Sequence, residues 1–281
     1  MRTVTVGGIL LDQETATSAR AVEGVVGWLD GPPVRSGLQP KAQQDGAWDG
    51  SGSAAERPLE VLGFIQEATP AAADAALREL TALRPQSVYE VSVSDTEVGT
   101  LSCLSRLMSP ARSEWFGDRA FTYALTLAAP DPLLYGPPTY GSSGLASATP
   151  GAGLLYPLAY PLDYGIAPGV TPGAVSVPNA GTAAYWPRLR IDGPVLNPVI
   201  SLVESGAWVR YNGSLLAGQW LDWDMANRRV LLQGQVSVRQ RVTSSGNWLA
   251  IPVDGGSVVW TADTADPAAL LSVWGFERAV S

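Results

Sequence analysis

The best-placed pair of carboxylates in the chain is Asp222 and Asp224, with Trp223 between them. A glycoside hydrolase needs such a pair. One acid protonates the leaving oxygen, and a second, about 5 or about 6.5–9.5 Å away, acts as nucleophile or base. Residues two apart on a strand share a face only while the strand lasts, and Asp224-Met225-Ala226-Asn227 has the Asp-first pattern of a β-turn. The turn is the reading this spacing favours. The same acids lack the further oxygen ligands and glycine spacing of a calcium loop. Among Trp208, Trp220, Trp223, Trp248, Trp260 and Trp274, a flat platform for sugar rings is conceivable, with Trp220 and Trp223 as its candidates. In a small sandwich, indoles more often fill the core or an interface.

Other chemistry is excluded by what is missing. The chain has no histidine, which removes the commonest general base, the commonest metal ligand and every Ser-His or Cys-His arrangement. Cys103 stands alone, so no intrachain disulfide forms, and a buried apolar role suits it. Lys41 is the only lysine and no phosphate-cradling glycine loop precedes it, so ATP-driven chemistry is not expected. We expect no catalytic residues, no metal and no cofactor. Charge is uneven: residues 1–135 hold ten basic and seventeen acidic residues, while residues 181–281 hold eight of each. Phosphate backbones are bound mainly by Lys and Arg, so stable nucleic-acid binding is not expected of so acidic a half. No run near twenty apolar residues spans a membrane, and the N-terminus lacks a signal-peptide pattern. Synthesis and folding in a cytoplasm are expected.

The elements that must position these residues fall into two domains. In Ala120 to Ala128 the large residues Phe121, Tyr123, Leu125 and Leu127 occupy every second position, the period of a strand with one buried face. Pro130-Asp131-Pro132 stops that ladder. Of the 46 residues from Gly136 to Gly181, 17 are Gly or Pro and only Asp163 is charged, so the composition predicts a linker. The expected organisation is a first domain over 1–135, a linker over 136–180 and a second domain over 181–281, with Pro130, Asp131, Pro132 and Tyr135 as the hinge. Within the linker, Tyr-Pro-Leu recurs at 156 and 160, an apolar extended segment that suits lying along a protein surface.

Strands are predicted near 2–6, 57–65, 87–94 and 100–107. A helix is predicted from the Thr69 cap and Pro70 to Pro85, with Ala73, Ala76, Leu77, Leu80 and Leu83 on one face and an Asp74–Arg78 pair on another. The segment Asp30 to Ser53, rich in Gly and Pro, reads as a surface loop or as an arm that reaches a neighbouring subunit; Pro32, Pro33, Arg35, Asp45 and Trp48 are its candidate contacts. In the last hundred residues, turn signals at Asp192-Gly193-Pro194, Asn212-Gly213, 224–227, Gly246-Asn247 and Asp254-Gly255-Gly256 separate short apolar runs, among them 199–203, 208–211, 230–232, 248–253 and 258–260. That pattern indicates a sandwich or jelly roll. The fold class expected is mainly β.

PPVR with a DGAWDG loop, TPAAADAALRELTALRP, a strand ending DPLLYG, then NAGTAAYWPRLRIDGPVLNP and WDMANRRVLLQG, in that order, resemble the distal tail proteins of siphophages infecting Gram-positive hosts. The likeness covers nearly the whole chain. It implies an N-terminal β-sandwich with one helix and an extended arm, closing as a homohexamer into a ring, and a C-terminal galectin-like sandwich. It also implies a place at the distal end of the virion tail, between the tail tube and the tail-associated baseplate or spike protein, with a channel for DNA and the tape-measure protein. Two rivals are a host-carbohydrate-binding adhesin that uses the C-terminal sandwich, and a glycan hydrolase, which the carboxylate argument disfavours.

Overall fold

The computed structural model describes residues 2–15, 18–97, 99–147, 151–152, 166–167, 170–264 and 266–281. The chain divides into two compact units, Met1–Gly136 with Ser281, and Pro137–Val280. Both are antiparallel β-structures.

In the first unit the main strands are β1 (Thr3–Val6), β2 (Ala19–Val26), β3 (Arg57–Gln66), β4 (Val88–Asp95), β5 (Gly99–Leu107), β6 (Arg112–Phe116) and β7 (Ala120–Ala129). Their order is β1-β4-β5-β7-β3-β2, with short strands at both edges and β6 alongside β7. Strand β7 pairs with β3 along its whole length, with β6 over its first half and with β5 only at Leu127 and Ala128. The alternation expected there is observed: Phe121, Tyr123, Leu125 and Leu127 are buried and the residues between them are not. Helix α1 (Pro70–Thr81) begins where Thr69 Oγ1 accepts the amide of Ala72 and Pro70 takes the first turn. It turns Ala73, Ala76 and Leu80 inward. The expected Asp74–Arg78 pair is not among the ion pairs of the described residues; Glu79 is the helix acid that pairs, with Arg20 at 3.1 Å.

The second unit corrects the predicted linker. Pro138–Gly144 and Gly173–Val177 are strands, β8 and β9, and each is hydrogen-bonded into a sheet of this unit. The others are β10 (Arg188–Asp192), β11 (Val199–Leu202), β12 (Trp208–Tyr211), β13 (Trp220–Asp224), β14 (Arg229–Leu232), β15 (Val242–Ser244), β16 (Gly256–Thr261) and β17 (Leu270–Phe276). One sheet runs β8-β17-β10-β13-β14 with Val236–Ser237 at its edge; the other runs β9-β16-β11-β12-β15. Glycine is abundant in β8 and β9 because these strands are packed tightly, not because they are loose. A Cβ on Gly141 would lie 2.5 Å from the Val175 side chain, and one on Gly173 would lie 2.3 Å from the Trp260 indole nitrogen. That nitrogen donates to the Ser143 carbonyl at 3.1 Å. The Tyr-Pro-Leu repeat lies outside the described residues.

Buried Trp223, Trp260, Tyr185 and Tyr211 are the largest side chains of this core. The run 248–253 does not form the expected strand. Its one β-bridge joins Ile251 to Tyr185, and it contributes Trp248, Leu249 and Ile251 to the core. Asn179, also inside the predicted linker, is 1% exposed and fully used. Its Nδ2 donates to the carbonyls of Ala183 and Pro252, and its Oδ1 accepts the amide of Ala279 at 3.0 Å.

Candidate functional site

The segment between β2 and β3 is a ribbon. Val34–Arg35 pairs with Ser53–Ala54, and Gln39–Pro40 with Ala47–Trp48. Between these ladders the two strands touch at Gly37 and Gly50, where a Cβ on Gly50 would lie 2.4 Å from the Gly37 carbonyl oxygen, so only glycine fits. The ribbon has almost no core of its own. Leu29, Val34, Leu38 and Trp48 are all more than half exposed. Its fixed contacts are polar: Arg35 pairs with Glu56 at 2.8 Å, and Lys41 sits 5.1 Å from the Trp48 ring centroid. Of the predicted arm residues, Arg35 and Trp48 thus lie on paired rungs, Pro32 and Pro33 lead in from the root, and Asp45 lies in the exposed tip.

The root of the ribbon is fastened by a residue that sequence reasoning missed as a functional position. Arg57 is 1% exposed. Its Nη1 donates to the carbonyls of Gly27, Trp28 and Asp30, and its Nε donates to Pro132 at 2.8 Å. Burial pulls this guanidinium below its ordinary pKa, and it remains charged. A signal existed in the sequence: Arg57 is in phase with Leu59, Val61 and Ile65, the buried positions of β3, and an arginine in that phase must find carbonyls.

The predicted hinge residues lie within the first unit. The Asp131 carboxylate accepts the Leu133 amide at 3.1 Å and the Tyr135 hydroxyl at 2.7 Å, and Pro132 gives its carbonyl to Arg57. Pro130 ends β7. Cys103 is buried and 3.3 Å from the Ser105 hydroxyl, and burial pushes its thiol pKa up. Among the described residues no group of three or more His, Cys, Asp or Glu could hold a metal ion, and no helix is long and apolar enough to cross a membrane.

The predicted sugar platform is not built as expected. Trp223 is 1% exposed, with its ring 6.2 Å from that of Trp248, so it has no free face to offer. Residues 220 and 223 are an odd number apart on β13, and strand alternation sends them to opposite faces. Trp220 does point outward, but its nitrogen donates to Asp222 at 3.1 Å and the Arg190 guanidinium lies 4.5 Å from its ring centroid. Asp224 is the turn residue the sequence suggested, its two oxygens accepting the Asn227 amide at 3.0 Å and Asn227 Nδ2 at 2.8 Å. Burial pushes its pKa up, yet these hydrogen bonds together with Arg188 and Arg229 outweigh that and hold the carboxyl below its ordinary value. An acid so fixed in its ionised form is no proton donor for a leaving group.

No protein-family model and no curated protein matches the sequence. Among solved structures, the chain is similar to Dit of phage SPP1, described as a paradigm of the hub adsorption apparatus in phages infecting Gram-positive bacteria. Identity is 14%, coverage is 99% of each chain and the TM-score is 0.61. A chain in the phage P2 baseplate, in its activated conformation with calcium, is 9% identical over 99% of each chain with a TM-score of 0.49. At 14% identity what is shared is the fold, and this chain has the mainly β fold of the SPP1 Dit hub protein over essentially its whole length.

Proposed function

We propose that this chain is a structural hub protein of a siphophage tail tip, six copies of which close into a ring between the tail tube and the baseplate or spike protein. The observation that carries this reading is the arm: a ribbon of two short ladders that presents Val34, Leu38 and Trp48 to water from a root locked by Arg57. Exposed apolar side chains on a fixed projection suit a second copy of the chain, and head-to-tail contacts of that kind close into rings. The whole-length likeness in fold to SPP1 Dit supports it. The first unit holds seventeen acidic against ten basic residues, so DNA and the tape-measure protein would traverse a bore that repels phosphate. The protein would then reside in the virion, at the distal end of the tail.

Native mass spectrometry of the full chain tests the reading. The expected result is a six-copy species that the triple variant Val34→Ser, Leu38→Ser, Trp48→Ser reduces to smaller ones with its thermal transition unchanged. A wild-type chain that stays monomeric at every concentration would overturn it.

A further inference from the structure

The outward face of the sheet containing β8 carries a row of side chains that the ring reading does not use. Five adjacent strands contribute one residue each by direct cross-strand pairing. Tyr140 lies opposite Trp274, Trp274 opposite Arg188, Arg188 opposite Asp224, and Asp224 opposite Arg229. With strands about 4.8 Å apart, the row is about 19 Å long. Two residues along each strand, a second row brings Ser272, Arg190 and Asp222 together. Of these residues, Arg188, Asp222, Asp224, Arg229 and Trp274 line a cleft of about 590 Å³.

The side chains divide into an aromatic end and a polar end. At the aromatic end, Tyr140 and Trp274 are 60% and 42% exposed, with ring centroids 5.5 Å apart. The Tyr140 hydroxyl and the Ser272 hydroxyl are hydrogen-bonded at 3.2 Å, which fixes the phenol ring beside the indole. At the polar end, Asp222 uses one carboxylate oxygen on the Trp220 nitrogen, which leaves the other for the cleft. Arg188 influences Asp224 through its charge, and its guanidinium makes no hydrogen bond or ion pair among the described residues. The two arginines and two aspartates lining the cleft cancel in charge.

We propose that this cleft binds a neutral, pyranose-based oligosaccharide. A pyranose ring has an apolar C–H face, which a half-exposed indole can cover, and a rim of vicinal hydroxyls that both donate and accept. Trp274 takes the apolar face, Arg188 donates to the rim and Asp222 accepts from it. The cancelling charges disfavour a polyphosphate ligand, for which unopposed Arg or Lys would be needed. The length of the row suits a short chain of sugars rather than one. The exposed aromatic ring of this site is Trp274, with Tyr140 packed beside it, whereas the sequence-predicted Trp223 lines the cleft but is 1% exposed.

The test uses the full chain on immobilised chitotetraose, cellotetraose, a galacto-oligosaccharide and a rhamno-oligosaccharide, with poly(glycerol phosphate) as the anionic comparison. Saturable binding of at least one neutral probe is expected. Trp274→Ala and Asp222→Asn should each weaken it about tenfold or more, while Trp208→Ala, an exposed indole on the other sheet, should leave it unchanged. Each variant is first checked for wild-type mass in solution, so loss of assembly and loss of sugar binding are read separately. The proposal is overturned by no saturable binding to any neutral probe, by binding confined to poly(glycerol phosphate), or by an equal loss in Trp208→Ala.

Discussion

Each unit of the chain contains a buried polar side chain that gathers backbone from distant points, and the two do so by different means. In the first unit Arg57 supplies donors only, to Gly27, Trp28, Asp30 and Pro132. In the second, Asn179 supplies donors to Ala183 and Pro252 and an acceptor to Gly181 and Ala279. Asn179 closes its region, with carbonyls and amides both satisfied. Arg57 leaves Nη2 without a partner among the described residues, at the point where the ribbon departs. A guanidinium can collect several carbonyls that point the same way, which is the geometry of a turn from which a projection leaves. A carboxamide can join strand ends that present both kinds of group. The first unit is thus fastened around something that reaches out, and the second around its own strand ends.

Removing each fastener is the most direct way to break that comparison. Arg57→Ala should cost the most, about 3–4 kcal/mol, because four carbonyls lose donors to a charged group at once. Chemical denaturation measures it, and the same variant should lose six-copy assembly because the ribbon root is no longer held. Asn179→Ala should cost about 2–3 kcal/mol, the penalty of orphaned buried groups, and leave assembly intact once the chain is folded. If both variants lost assembly to the same degree, the distinction between an outward-reaching unit and a self-closed one would fail.

The legible parts of the fold are those where period and burial agree. Strand β7 and helix α1 each bury one clean face, so Phe121 through Leu127 and Ala73 through Leu80 announce themselves. Strands β8 and β9 do not, since Gly141 and Gly173 are demanded by neighbours far along the chain, Val175 and Trp260. Composition alone cannot tell a glycine that loosens a linker from one that admits a close approach. The same holds for the cleft on the sheet of β8. Asp222 and Asp224 were visible as a pair, but the row through Tyr140, Trp274 and Arg188 exists only once β8, β17 and β10 are set side by side. Arg57 and Asn179 are likewise long-range positions, each joining segments at least 27 residues away as well as, for Asn179, near ones.

Asp224 offers the smallest effect and sharpens the contrast from the other side, because its partners are all local to one sheet and one turn. Its carboxyl is held below the ordinary value by Asn227, Arg188 and Arg229 against the opposing effect of burial. A depressed pKa in the folded state contributes stability that is complete above the unfolded value of about 3.9 and is lost as pH falls through the folded one. The difference in unfolding free energy between wild type and Asp224→Asn should therefore be constant above about pH 5 and shrink below pH 4. The arginines keep their charge throughout, so the change tracks Asp224 alone. Denaturant midpoints of both proteins at a series of pH values measure it, and a difference that grew on acidification would mean that burial, rather than Asn227 and the arginines, dominates at this carboxylate.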